Sequence, residues 1–128
     1  MPITVLITDD EPHVTQVIGF KLEEAGYAVL EASFGEQALE LARAHRPALI
    51  VTDFQMPTMS GLELAMKLRE DPATADIPVV MITARGHKIT AEERARTNIR
   101  AMMPKPFSPR DLLALVGEIL DPGEAQAA

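Results

Sequence analysis

The stretch Val5-Leu6-Ile7-Thr8-Asp9-Asp10-Glu11 (VLITDDE) decides the fold, because an apolar run ends abruptly on three consecutive carboxylates. A short apolar run bounded in this way is typical of a strand that is buried on both faces of a parallel sheet. Similar runs recur along the chain. They predict five strands, at residues 3–8, 28–32, 48–52, 79–83 and 99–103.

The segments between these runs have apolar residues at helical spacing, and they therefore predict helices. The last helix has the clearest start, since Ser108 is a predicted N-cap and Pro109 the first helical residue. Helix by helix, the residues expected to be buried are Val14, Val17, Ile18, Leu22 and Ala25; Ala38, Leu39 and Ala42; Leu62, Ala65, Met66 and Leu68; and Leu112, Leu115, Val116 and Ile119.

Strands that alternate with helices predict an α/β fold, with a parallel sheet covered on both faces. Right-handed crossovers favour a doubly wound sheet of five strands in the order 2-1-3-4-5, accompanied by five helices. A chain of 128 residues is long enough for one domain, which we expect over residues 1–121. Residues 122–128 are expected to form a short, flexible C-terminal tail.

Composition narrows the classes of function. The net charge of −7 argues against nucleic acid as a partner, and the lack of cysteine excludes disulfides, thiol catalysis and zinc–thiolate sites. No apolar run is long enough to span a membrane and no export signal is evident, so we expect a cytoplasmic protein without a membrane partner. The segment 85–105 stands apart, with six basic residues against two acidic ones.

Polar side chains follow the predicted strands at the same end of the sheet. Asp9 and Asp10 follow the first strand, Asp53 the third, Thr83 ends the fourth, and Lys105 follows the fifth. In an open parallel sheet, ligands bind beyond the carboxyl ends of the strands, where the winding direction reverses. Each residue alone is typical of a turn or a solvated surface. Their recurrence at one edge of neighbouring strands favours a shared site.

Three clustered carboxylates repel one another, so the aspartates are expected either to protonate or to bind a cation. Oxygen ligands without sulfur or paired histidines favour a hard ion, and Mg²⁺ suits one or two carboxylates completed by water. A metal-bound carboxylate cluster with a nearby lysine and hydroxyl suits phosphoryl transfer, in which a carboxylate attacks in line. We therefore predict Mg²⁺ as the cofactor.

Four motifs, in this order and at suitable spacing, carry a family resemblance: Asp9-Asp10, Asp53-Phe-Gln-Met-Pro-Thr-Met-Ser-Gly61, Thr83-Ala84 and Lys105-Pro106-Phe107. They resemble the receiver domain of response regulators in two-component signalling, of the chemotaxis-receiver type, whose fold is flavodoxin-like. The resemblance covers about residues 3–120. It implies that Asp53 is the phosphoacceptor for a phosphohistidine donor.

The resemblance also implies roles for the residues around Asp53. Asp10 would bind Mg²⁺ directly, Asp9 mostly through a water molecule, and Gln55 through its backbone carbonyl. Thr83 would donate a hydrogen bond to the phosphoryl group, Ala84 would leave access to it, and Lys105 would pair with a phosphoryl oxygen. The bond between Lys105 and Pro106 is expected to be cis. Finally, Gln55 and Arg85 occupy positions that in this family influence the rate at which the acyl phosphate hydrolyses.

Three features depart from the family pattern. Met102 stands where an aromatic residue usually moves together with the threonine, so that coupling is in question. Asn98-Ile99 replaces the usual Gly-Ala, and Asn98 is expected to accept the left-handed conformation after a helix. The fourth helix, residues 90–97, has a capping-box start but only Ala91 and Ala95 as candidates for burial, so we predict that it is short or mobile.

All the expected site residues are present, namely Asp9, Asp10, Asp53, Thr83 and Lys105, and this complete set favours a stand-alone signalling switch or a phosphorelay intermediate. It would perform only self-catalysed phosphoryl acceptance and autodephosphorylation, and would not otherwise be an enzyme. Its expected partners are a sensor histidine kinase or histidine phosphotransfer protein, and a downstream protein bound by the face formed by helix 4, strand 5 and helix 5. The alternative is a degenerate receiver that acts as a phosphorylation-independent interaction module.

Overall fold

A computed structural model of the chain describes residues 2–84 and 86–120. The predicted tail, residues 122–128, and the candidate residue Arg85 therefore lie outside the described residues. Ten elements alternate along the chain: β1 (Thr4–Thr8), α1 (Pro12–Glu24), β2 (Ala28–Ala32), α2 (Gly35–His45), β3 (Leu49–Asp53), α3 (Gly61–Glu70), β4 (Val79–Thr83), α4 (Ala91–Ala95), β5 (Ile99–Pro104) and α5 (Pro109–Leu120). Among the described residues, no helix has the length and apolar character needed to cross a bilayer.

The five strands form one parallel sheet in the order β2-β1-β3-β4-β5, which confirms the predicted doubly wound, flavodoxin-like architecture. Two strands have the predicted bounds, and the others differ by one residue at one or both ends. The difference at β3 matters, because its last residue is Asp53 and not Thr52. Asp53 thus belongs to the sheet itself.

The sheet divides the apolar core into two layers. One face packs against α2 and α3, and the other packs against α1 and α5. Successive residues of β1 alternate between the layers, with Leu6 in the first and Val5 and Ile7 in the second. Burial on both faces explains why the three central strands, β1, β3 and β4, are almost continuously apolar in sequence.

Helix α1 buries a different stripe from the predicted one. Ile18 and Leu22 are buried as expected, but Val17 is 52% exposed and Ala25 lies beyond the end of the helix. Thr15 is also buried. Its hydroxyl can lie in the core because it donates a hydrogen bond to the carbonyl oxygen of Pro12, at 2.9 Å, within the same helix. The face of α1 that is buried is therefore rotated by part of a turn from the face predicted from hydrophobicity alone.

Helix α4 is short, as predicted, and has the expected capping box between Thr90 and Glu93. The expectation that Ala91 and Ala95 would be buried was wrong, since both are exposed and no residue of α4 is buried. A helix of five residues has little more than one turn, so it lacks a continuous stripe to dock on the sheet. The residues beside α4 pack instead, since Ile89 before it is half-buried and Thr97 and Ile99 after it are buried.

The predicted left-handed conformation of Asn98 was also wrong. The only non-glycine residues with positive φ among those described are Arg46 and Thr58. The side-chain amide of Asn98 instead donates a hydrogen bond to the carbonyl oxygen of Asp76 at 3.0 Å. Asn98 therefore ties the start of β5 to the loop before β4 by its side chain and not by its backbone conformation.

Candidate functional site

Three aspartates meet at the carboxyl edge of the sheet. Asp9 and Asp10 follow β1, Asp53 ends β3, and these two strands are neighbours. One carboxylate oxygen from each lies within 4.8 Å of the others. Asp9 and Asp53 are only 5% and 3% exposed, whereas Asp10 is open to solvent. The structure thus brings together the acidic residues singled out in the sequence.

A glycine sets the position of Asp53. The amide of Gly61, at the start of α3, donates to the carbonyl oxygen of Phe54 at 2.8 Å. A Cβ on Gly61 would overlap the carbonyl oxygen of Asp53 and lie 3.0 Å from the Cα of Phe54. Ser60 caps the same helix by accepting from the amide of Glu63 at 3.1 Å. The end of β3 and the start of α3 therefore fit together only without a side chain at residue 61.

Lys105 reaches the cluster from the other side. Its ammonium lies 2.9 Å from Oδ1 of Asp53, and its backbone amide donates to the carbonyl oxygen of Thr83 at 2.7 Å. The peptide bond between Lys105 and Pro106 is cis, as the resemblance implied. One residue therefore links the ends of β4 and β5 to the aspartate that ends β3.

Burial and charge shift the titration of these groups. Burial raises the pKa of Asp9 from 3.8 to about 6, against the opposing effect of the backbone amide of Glu11, which donates to its Oδ1 at 2.9 Å. Burial also raises the pKa of Asp53, although the hydrogen bond and charge of Lys105 act in the opposite direction. The same hydrogen bond raises the pKa of Lys105.

The donor set fits a hard divalent cation. It consists of oxygen atoms from three carboxylates, two of them buried, and Lys105 supplies only one positive charge against them. A buried carboxylate whose pKa is raised is destabilised in its charged form, and a nearby cation would relieve that cost. Mg²⁺ prefers such ligands, and the exposed side of the cluster would leave room for water molecules to complete its shell.

The other predicted site residues that the structure describes lie on, or directly after, the neighbouring strands β3, β4 and β5. Thr83 is buried at the end of β4, and its hydroxyl donates to the carbonyl oxygen of Ala84 at 3.2 Å and not to a carboxylate. Ala84 is exposed, and Gln55 lines the same pocket as Asp10, Asp53 and Lys105. Met102 is half-buried in β5, opposite Met81 of β4.

Sequence reasoning missed two features of the site. The first is the steric role of Gly61, for which the only signal was a serine–glycine pair before a helical stripe. The second is a ring contact between Phe54, which lines the aspartate pocket, and His87 in the loop after β4, with centroids 4.2 Å apart. No pattern in the sequence links residues 33 positions apart, so only the fold reveals this pair.

The family model of the response regulator receiver domain matches residues 5–117. The phosphate regulon transcriptional regulatory protein PhoB of Pseudomonas aeruginosa is 39% identical over 127 residues, which cover 97% of this chain and 56% of PhoB. Response regulator Rre1 of Synechocystis is 37% identical over 120 residues, which cover 93% of this chain and 52% of Rre1. The chain thus spans about half the length of these relatives.

Solved structures show the same relationship. A putative response regulator from Chloroflexus aurantiacus superposes with a TM-score of 0.84 at 32% identity, covering 94% of this chain and 98% of the other. The chemotaxis response regulator CheY4 of Vibrio cholerae superposes with a TM-score of 0.85 at 29% identity, covering 94% of this chain and all of CheY4. With its order of strands and the family match over most of its length, the chain belongs to the receiver domain family of two-component response regulators.

Proposed function

We propose that this receiver domain accepts a phosphoryl group from a phosphohistidine donor onto Asp53, in a reaction that requires Mg²⁺. The observation that carries the proposal is the placement of Asp53. Its carboxylate is buried, lies 2.9 Å from the ammonium of Lys105, and shares a cluster with two further carboxylates. An aspartate with only a structural role in a turn would not require burial beside two other carboxylates, which is unfavourable in free energy.

Asp10, Asp53 and the backbone carbonyl of Gln55 would hold the ion, and Asp9 would act mostly through a bound water. When bound, Mg²⁺ neutralises charge on the transferring phosphoryl group. A free carboxylate oxygen of Asp53 attacks phosphorus in line, and forms a P–O bond as the P–N bond to the donor imidazole breaks. The electron pair of the broken bond stays on the imidazole nitrogen.

The other residues stabilise the group once it has been transferred. Lys105 pairs with a phosphoryl oxygen through the ammonium that now contacts Asp53. Thr83 turns its hydroxyl from the carbonyl oxygen of Ala84 to a second phosphoryl oxygen. Water then hydrolyses the acyl phosphate, and Gln55 at the mouth of the pocket influences its approach. The domain would therefore catalyse only its own phosphorylation and dephosphorylation.

The signal would come from a sensor histidine kinase or a histidine phosphotransfer protein, the phosphohistidine donors of two-component systems. We propose that phosphorylation is read by a downstream protein on the face formed by α4, β5 and α5. PhoB, PhoP of Bacillus subtilis and SrrA of Staphylococcus aureus are named as transcriptional regulatory proteins.

Intact-mass measurement after incubation with Mg²⁺ and acetyl phosphate tests the proposal. We expect the mass of one phosphoryl group to be added, and Asp53→Asn or removal of Mg²⁺ with a chelator to abolish the addition. Asp76→Asn, which removes an exposed carboxylate outside the cluster, is the matched control and should still be phosphorylated. A phosphoryl group that persists in Asp53→Asn would refute the assignment of the residue. No addition with any donor would favour the interaction module.

A further inference from the structure

The loop between β3 and α3, residues 54–60, contains a backbone conformation that its sequence disfavours. Thr58 has a φ of 65°. Threonine rarely adopts positive φ, because its branched Cβ then lies too close to the backbone. The other described non-glycine residue with positive φ, Arg46, directly follows α2, where a left-handed residue commonly ends a helix. Thr58 follows no helix, so its conformation needs a different cause.

Hydrogen bonds close a tight turn around Thr58. The amide of Met59 donates to the carbonyl oxygen of Pro57 at 2.7 Å, which forms a γ-turn with Thr58 at its centre. With positive φ, this is the rare and strained form of the γ-turn. The hydroxyl of Thr58 donates to the same oxygen at 2.6 Å, but the residue is exposed, so its own burial does not offset the strain. The stabilisation of the turn must therefore come from a neighbouring residue.

Met59 supplies this stabilisation through its burial. It is only 7% exposed and belongs to the core layer that packs against α2 and α3. It lies against Gly35, the first residue of α2, where an added Cβ would come within 2.6 Å of the methionine Sδ. The chain is thus drawn toward α2 directly after Thr58. The free energy gained by burying Met59 offsets the strain of the turn.

A stiff segment joins the strained turn to the aspartate pocket. Gln55, Met56 and Pro57 line this pocket together with Asp53. Proline fixes its own φ and restricts the residue before it, here Met56, to extended conformations. A rotation of the backbone at Thr58 would therefore be transmitted along Pro57 and Met56 to Gln55.

We propose that Thr58 and Met59 are positioning residues for the divalent cation of the aspartate pocket. Burial of Met59 holds Thr58 in the strained turn, and the turn holds the backbone carbonyl of Gln55 where it would bind the ion. If Met59 left the core, Thr58 would rotate to negative φ and the carbonyl would move away. This role rests on the proposed function, because it concerns a bound Mg²⁺. A glycine at position 58 would allow the turn without Met59, so the threonine makes the affinity for the cation depend on the core.

Mg²⁺ titrations of the full chain, followed by the NMR shifts of backbone amides, test the proposal without any phosphodonor. We expect Met59→Ala to weaken Mg²⁺ binding about tenfold, as is usual when a residue that supports a metal ligand is lost. Adding Thr58→Gly to Met59→Ala should strengthen binding again by at least about threefold, because glycine adopts positive φ readily. Adding Thr58→Val, which keeps the branched Cβ, should restore nothing. Unchanged affinity in Met59→Ala, or equal restoration by glycine and valine, would overturn the proposal.

Two controls separate positioning from a general loss of packing. Met59→Leu keeps a side chain of similar volume in the core and should bind Mg²⁺ as the wild type does. Met66→Ala removes a half-buried methionine from α3, outside the loop, and should also leave Mg²⁺ affinity unchanged. Equal weakening by Met66→Ala and Met59→Ala would overturn the role of the loop.

Thermal unfolding of variants at residue 58 requires neither that Met59→Ala fold nor that Mg²⁺ bind. Thr58→Gly should raise the melting temperature by about 3 °C, because relief of the strain outweighs the entropy that glycine loses on folding. Thr58→Val should not raise it. A lower melting temperature in Thr58→Gly than in the wild type would overturn the proposal. A wild type that binds no Mg²⁺, although Thr58→Gly is stabilised, would instead refute the cation site of the proposed function, and the positioning role with it.

Discussion

The aspartate pocket and the neighbouring segment around α4 are built in opposite ways. In the pocket, Asp53 ends a strand buried on both faces, and Gly61 lets α3 pack against it without a gap. In the neighbouring segment, α4 has five residues, none of them buried, between two loops. The first region fixes the carboxylates in place by backbone packing. The second can change position at little cost in buried area, which suits a segment that must respond to a ligand.

The largest expected difference between the two regions is in hydrogen exchange. Amides of α3 should exchange only on global unfolding, because Leu64, Ala65 and Leu68 are buried. Amides of α4 should exchange through local opening, with a free energy lower by about 3 kcal/mol or more. Exchange measured by mass spectrometry or NMR would give both values. Equal protection of the amides of α3 and α4 would contradict the prediction that α4 opens locally.

Gly61→Ala should have the next largest effect. The added Cβ overlaps the carbonyl oxygen of Asp53, and relief requires α3 to move away from β3. We expect a loss of about 3 kcal/mol in the free energy of unfolding, typical of overpacking in a close-fitting site. Denaturant titration provides the measurement.

The control for this substitution is Gly117→Ala in α5, where the added Cβ meets no atom within 4 Å. We expect it to stabilise the chain by up to about 1 kcal/mol, because alanine favours the helix. Similar destabilisation by both substitutions would show that the close fit at Gly61 is not the cause.

The aspartate pocket should also make stability depend on pH. In the folded chain the pKa of Asp9 is raised from 3.8 to about 6, so the folded state retains a proton that the unfolded state has lost between these values. The contribution of Asp9 to the free energy of unfolding should therefore fall as pH rises from about 4 to above 6, by about 2 kcal/mol once solvent screening is allowed for.

Removal of the charge at Asp9 tests this dependence. Without divalent cations, Asp9→Asn should be more stable than the wild type at neutral pH, and saturating Mg²⁺ should reduce or reverse the advantage. Denaturant titrations at several pH values measure both effects, and Asp76→Asn controls for the change in net charge. If the wild type gained stability relative to Asp9→Asn between pH 4 and 6.5, the predicted direction of this pH dependence would be wrong.

The smallest expected effect is the difference in stability lost when each of two helix N-caps is removed. Ser60 and Thr90 each accept a hydrogen bond from a backbone amide in the first turn of the following helix, α3 and α4 respectively. Ser60→Ala should cost about 1 kcal/mol of global stability, the usual value for a lost cap. Thr90→Ala should cost less than about 0.3 kcal/mol, because α4 can unfold without exposing the core. Equal costs, measured by denaturant titration, would show that α4 folds together with the rest of the domain.

The sequence was sufficient to predict the sheet and the convergence of the acidic residues. Both follow from short-range signals, namely continuous apolar runs and the polar residues that end them. The exposure of Val17 and Ala91 was not predictable in this way, because it depends on which helical face meets the sheet. The role of Gly61 depends on the distance between β3 and α3, and that of Asn98 on a contact with residue 76, so the residues next to them in sequence do not determine either role.

The hydrogen bond from the amide of Lys105 to the carbonyl oxygen of Thr83 has a consequence for how such a domain could diversify. It places the ammonium and the hydroxyl at the ends of two paired strands, so their spacing is set by the sheet and not by α4. Substitutions on α4 can therefore accumulate without altering the spacing of these two groups. The residues at this edge of the sheet could then stay constant while substitutions in the neighbouring helix changed which partner proteins the domain binds.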